Sequence, residues 1–132
     1  MENLNIRGER SEFFTPHVNM DAETGKCEIS GESYLEYTGE FYDQIISWLN
    51  QFITEVNRPL VMNFRLTYFN TSSFKAILNL LNYIKKYEKQ GGNVLVNWYY
   101  PEDDYDMLRE AEDLSEGSGL NNMVLIPYSL DD

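Results

Sequence analysis

Apolar residues recur along the chain with two different periods, and the alternation between them outlines the fold. From Phe41 to Val56 the positions Phe41, Ile45, Trp48, Leu49, Phe52, Ile53 and Val56 fall on one helical stripe. Asp43, Gln44, Ser47, Asn50, Gln51, Thr54 and Glu55 take the other side. This spacing predicts an amphipathic helix that Asn57-Arg58-Pro59 stops, because proline disfavours the helical conformation of the residue before it. The run Leu60 to Phe69 then alternates, with Leu60, Met62, Phe64 and Leu66 on one face, and reads as a central strand. Phe74, Ile77, Leu78, Leu81 and Ile84 form a second helical stripe ending at the C-cap turn Gly91-Gly92. Val94 to Tyr100 is β-prone and closed by Pro101. Asp103 to Ser115 returns to helical spacing at Met107, Leu108, Ala111 and Leu114, Gly117-Ser118-Gly119 breaks the pattern, and Met123 to Ile126 supplies a last strand. Ahead of all this, Phe13 to Asn19 and Lys26 to Ser30 flank the turn-rich segment Asp21-Ala22-Glu23-Thr24-Gly25 and predict a hairpin. The order β-β-α-β-α-β-α-β defines an α/β fold: a mixed β-sheet with an N-terminal hairpin followed by βαβ units, the helices packed on the sheet.

The 132 residues show no repeat, low-complexity tract or linker, and fit one domain spanning residues 1–132. Charge changes the picture more than length does. Ten basic against 22 acidic residues give a net charge of −12, and residues 1–66 and 67–132 each hold five basic and eleven acidic residues. Such a surface repels phosphate backbones, so neither nucleic acid nor an anionic membrane is expected as a partner. Cys27 is the lone cysteine, no apolar run approaches a membrane span, and the first residues lack the basic-then-apolar order of a signal peptide; a cytoplasmic protein is expected.

Most catalytic chemistry lacks its residues. His17 is the single histidine, without a second ligand or a nucleophile near it in sequence, so neither a metal nor a catalytic residue is expected. The acids from Glu102 to Glu116 lack the spacing of a calcium loop and are read as a solvated face whose first members favour the dipole of the last helix. Gly91-Gly92 follows a helix and precedes a strand, the reverse of a phosphate-binding loop, and no cofactor is expected. Trp98-Tyr99-Tyr100 is read as covering a sheet edge or a protein interface. What remains is Asn70-Thr71-Ser72-Ser73 at a strand-to-helix junction. These side chains suit N-capping; the same position also suits a phosphoacceptor, because a phosphate there meets free N–H groups and the positive end of the helix dipole.

Leu66-Thr67-Tyr68-Phe69-Asn70-Thr71-Ser72-Ser73-Phe74-Lys75-Ala76 closely resembles the motif of SiaC-type regulatory phosphoproteins. Gly31-Glu32-Ser33-Tyr34, the Phe41 to Phe52 helix, Arg58-Pro59-Leu60, Gly91-Gly92 and Trp98-Tyr99-Tyr100 follow in the family's order and spacing. The resemblance implies a fold similar to the STAS domain of anti-sigma-factor antagonists and a non-enzymatic role in bacterial partner switching. It implies that Thr71 is phosphorylated by a serine/threonine kinase of the anti-sigma-factor type and restored by a PP2C-like phosphatase. It further implies that the unphosphorylated form binds and activates an effector, a diguanylate cyclase in the family, in cyclic-di-GMP and biofilm signalling. STAS antagonists commonly carry Asp-Ser-Ser-Gly at this turn, and Asn70 and Ser73 replace its first and last residues, which leaves Ser72 and Ser73 as alternative acceptors. Phe74 and Lys75 neighbour the switch, Phe74 by its stripe position belonging to the core. The rival readings are a small-ligand sensor or enzyme using the C-terminal ends of the parallel strands, and a constitutive structural subunit.

Overall fold

The computed structural model describes residues 1–131. A six-stranded mixed sheet carries the fold. Its strands in chain order are β1 (Leu4–Ile6), β4 (His17–Met20), β5 (Lys26–Ser33), β6 (Leu60–Phe69), β7 (Val94–Pro101) and β8 (Met123–Tyr128), and that is also their spatial order. The antiparallel pairs β1–β4 and β4–β5 form the N-terminal meander; β5, β6, β7 and β8 are parallel neighbours. Three helices make the crossovers: α1 (Gly39–Gln51), α2 (Thr71–Lys89) and α3 (Tyr105–Ser118). Three successive right-handed crossovers in one direction place all of them on one face, where α1 touches α2 and α2 touches α3.

The core lies between that helix layer and the sheet. Met62, Phe64 and Leu66 of β6 and Val96 and Trp98 of β7 point into it, against Ile45 and Leu49 of α1 and Ile77, Leu81 and Ile84 of α2. Trp98 stacks on Phe64 with ring centres 4.9 Å apart and meets Phe69 edge-on at 5.8 Å. The uncovered face is polar in its middle: Arg65 pairs with Glu28 at 2.8 Å and lies over the Tyr99 ring, and Asn97 donates to Asn63.

Four local features depart from the periodicity. The segment Phe13 to Asn19 is not one strand: Pro16 divides it into β3 (Phe14–Thr15), which pairs with β2 (Glu9–Arg10) in a separate ribbon, and β4. The short edge strand β1 carried no readable period. The first helix ends in a π-helical turn, Phe52–Val56, closed by Asn57 in the left-handed conformation. Gly117 and Ser118 belong to α3, and only Gly119, with φ +70, ends it. Trp98 is also corrected: fully buried among aromatic rings, it covers no edge, and its indole Nε1 has no hydrogen-bond partner among the described residues. Tyr99 holds the open face and Tyr100 packs half-buried against the core.

Candidate functional site

One residue joins β6 to α2. Asn70 keeps an extended backbone, and its side-chain oxygen accepts the Ser73 N–H at 3.1 Å, which satisfies one of the free N–H groups of the first helical turn. Its amide donates to the Leu35 carbonyl at 2.8 Å and ties the junction to the loop after β5. The cap is thus Asn70 alone, and the three hydroxyls that follow it occupy three different environments. Thr71 is exposed. Ser72 is half-buried and donates to the Leu35 carbonyl, with Asn70 Oδ1 at 3.3 Å. Ser73 is fully buried, and its Oγ accepts from Ser33 Oγ at 2.8 Å, which in turn shares a hydrogen bond of 2.7 Å with the Tyr42 hydroxyl. Burial pushes the Tyr42 phenol up to about 12 against the opposing effect of those hydrogen bonds, so it stays a neutral partner.

A β-bulge sets this phase. Pairing of β5 with β6 runs regularly to Gly31 opposite Leu66 and resumes with Glu32 opposite Tyr68, leaving Thr67 as the extra residue. Gly31 takes φ +99 there, and Thr67 Oγ1 donates to its carbonyl. Beyond the bulge the alternation inverts: Tyr68 faces solvent and Phe69 enters the core. Without it, Phe69 and Asn70 would exchange sides. Phe74 is half-buried with its ring against Phe69, while Lys75 is exposed.

Thr71 stands between two concavities. One, of about 600 Å³, lies between the junction and the start of α3, with Tyr68, Asn70 and Thr71 on one wall and Asp106, Arg109 and Glu110 on the other. The second, of about 450 Å³, is bounded by Phe13, Tyr34, Glu36 and Thr71. Asp104 caps α3 by accepting the Met107 N–H at 3.0 Å. Burial, and then the charges of Asp106, Asp104 and Asp113, push the Glu110 carboxyl above its ordinary range. No histidine or cysteine lines either concavity. His17 is exposed on β4, accepting the Gly8 N–H, and Cys27 is buried at the start of β5. Among the described residues no group of three histidine, cysteine or acidic side chains is placed to hold a metal ion.

Sequence spacing located Asn70 to Ser73 and missed the walls around them. Tyr34, Tyr68, Glu36 and Asp106 come together because β5, β6 and β7 end side by side, and a signal for this existed: each lies at or a few residues beyond a strand's C-terminal end, where open α/β sheets bring their connections together.

A sheet covered on one face by helices, which presents an exposed threonine at a strand-to-helix junction flanked by open concavities, is the build of a regulatory binding domain. The chain belongs to the SiaC family of regulatory phosphoproteins, whose family model matches residues 8–128. An uncharacterised protein of Pseudomonas aeruginosa strain UCBPP-PA14 is 33% identical over 116 residues, covering 88% of this chain and 90% of that protein. The crystal structure of apo-SiaC from Pseudomonas aeruginosa superposes with a TM-score of 0.84 at 31% identity, over 97% of this chain and 100% of that one. SiaC of the same organism, in a crystal structure with the diguanylate cyclase SiaD that it activates, gives a TM-score of 0.85 at 30% identity over 95% and 99% of the two chains. Among the described residues no helix is long and apolar enough to cross a membrane.

Proposed function

We propose that this protein is a non-enzymatic partner-switching regulator in which phosphate on Thr71 controls the binding of an effector, a diguanylate cyclase. The observation that carries the reading is the unequal placement of the three hydroxyls: Thr71 is open to a kinase, Ser72 is held on the Leu35 carbonyl, and Ser73 is sealed in a network with Ser33 and Tyr42. A phosphate on Thr71 sits at the N-terminal end of α2, where the helix dipole favours an anion, so modification leaves the fold in place and changes only the surface. It adds about two negative charges beside Asp104, Asp106 and Glu110. The structure of the similar SiaC with SiaD supports a cyclase as the effector. A serine/threonine kinase of the anti-sigma-factor type would write the phosphate and a PP2C-like phosphatase would remove it, in the cytoplasm.

The test is binding of purified diguanylate cyclase to two variants. Thr71→Ala should bind as the unphosphorylated parent does, whereas Thr71→Glu and Thr71→Asp should bind on the order of tenfold more weakly. Equal binding by all of them would reject the switch.

A further inference from the structure

The open aromatic side chains of this protein are gathered at one end. Of the seven large apolar or aromatic side chains most exposed among the described residues, five (Tyr34, Tyr37, Tyr68, Tyr105 and Leu130) lie at or just beyond the C-terminal ends of β5 to β8, the end that carries Thr71. Met1 and Val124 are the other two. Tyr37 and Tyr105 are 82% and 73% exposed, so they serve no packing role within the chain. Tyr34, Tyr68, Tyr105 and Leu130 form a continuous patch. Tyr34 touches Phe13, Phe14 and Tyr68 with ring centres 6.2 to 6.5 Å apart. The two concavities share Thr71, and a third of about 450 Å³, bounded by Asp104, Tyr105, Asp106 and Leu130, adjoins the larger of them. Contiguous exposed aromatic surface of this kind marks an interaction site, whereas single exposed rings do not.

Charge is gathered there as well. The connections at this end, residues 7–16, 34–38, 102–104 and 129–131, carry Glu9, Glu12, Glu36, Glu102, Asp103, Asp104 and Asp131 against Arg7 and Arg10, and Arg10 pairs with Glu32 at 3.7 Å. Those at the opposite end, residues 21–25, 57–59, 90–93 and 119–122, carry Asp21, Glu23 and Arg58. Along α3, Asp106 and Glu110 extend the acidic wall, relieved by Arg109 alone. Tyrosine-rich surface ringed by carboxylates fits a partner that brings cations and apolar side chains together.

We propose that this end of the sheet is a docking surface for a basic, apolar segment of a protein partner. Its arginine or lysine side chains would be seated among Glu36, Asp104, Asp106 and Glu110 while its apolar ones cover Tyr34, Tyr68 and Tyr105. The proposal deepens, and rests on, the reading of Thr71 as the switch. A phosphate on Thr71 would occupy the rim shared by the two concavities, where the segment's apolar side chains would lie, and its bulk and the cost of desolvating it there oppose the attraction of the segment's cations.

The test leaves phosphate out, so that the two readings fail separately. The isotope-labelled full chain is titrated with a helical peptide of about 18 residues bearing arginine on one face and leucine on the other, and with its glutamate–leucine counterpart, while amide shifts are followed. The arginine peptide should shift residues 34–38, 68–71 and 104–110, bind about tenfold more weakly to Asp106→Asn/Glu110→Gln, and weaken with salt. It should bind Glu23→Gln/Glu55→Gln, altered at the opposite end, within about twofold of the parent. Both charge pairs are partly or fully exposed, so the variants keep the fold, and Tyr105→Ala gives a third variant that removes only aromatic area. Shifts scattered over the whole acidic surface, equal loss in both charge variants, or a preference for the glutamate peptide would overturn the docking surface whatever the cyclase does. Peptide binding at this end with a Thr71→Glu protein that still holds the cyclase as tightly as the parent would sink the switch and keep the surface.

Discussion

Thr71 and Ser73 are two residues apart and differ in everything that decides how a charge is tolerated. At Thr71 a carboxylate faces water beside the first N–H groups of α2; at Ser73 it would enter the core between Ser33 and Tyr42. Thr71→Glu should therefore stay within about 1 kcal/mol of the parent in urea unfolding. Ser73→Ala should cost about 1 kcal/mol for the hydrogen bond it loses, and Ser73→Glu about 3 kcal/mol or more for a buried charge. Equal destabilisation by both glutamates would mean that Thr71 is as enclosed as Ser73. Cys27 offers a second probe at this scale. Burial pushes its thiol up to about 12, with a backbone hydrogen bond from Asp21 opposing and the Asp21 charge adding to the rise. It should resist a thiol reagent at pH 8 until denaturant opens β5, and prompt reaction in buffer would contradict its burial.

At the scale of elements, the junction between β6 and α2 depends on Asn70 more than on the hydroxyls after it. Asn70→Ala removes both the cap on Ser73 N–H and the tie to Leu35, and should cost about 1–2 kcal/mol; Asn70→Asp keeps the cap, loses the tie and should fall between, as thermal melts would show. The helices and the parallel strands were legible in the sequence because each buries one face and so repeats with a fixed period: Ile45, Trp48 and Leu49 on α1, Phe52 at the start of the π-helical turn that follows it, and Leu60, Met62, Phe64 and Leu66 on β6, are all in the core. What was not legible breaks period. The Thr67 bulge inserts one residue and turns Tyr68 outward, β1 and β2 are too short to show alternation, and Trp98 was read as surface because its neighbours Tyr99 and Tyr100 obscured the inward phase it shares with Val94 and Val96.

Over the whole molecule, the net charge of −12 is even along the chain but not in space, because the fold brings the strand ends and their acidic connections together around Thr71. Glu110 reports that crowding. Its carboxyl is held above the ordinary range, so the folded chain holds the proton more tightly than the unfolded one, and stability falls as pH rises from the ordinary glutamate value through the raised one. Glu110→Gln should raise the melting temperature at pH 7, with the gain fading as pH drops below about 4; a gain that persists there would assign the effect to packing. The central claim, that Thr71 is the residue on which phosphate is written and removed, is tested most directly by phosphopeptide mass spectrometry of the protein from its native host. The peptide Leu66 to Lys75 should be followed with and without phosphatase. Phosphate on Thr71 that phosphatase removes is the predicted result; phosphate confined to Ser72 or Ser73, or none under any growth condition, would contradict it.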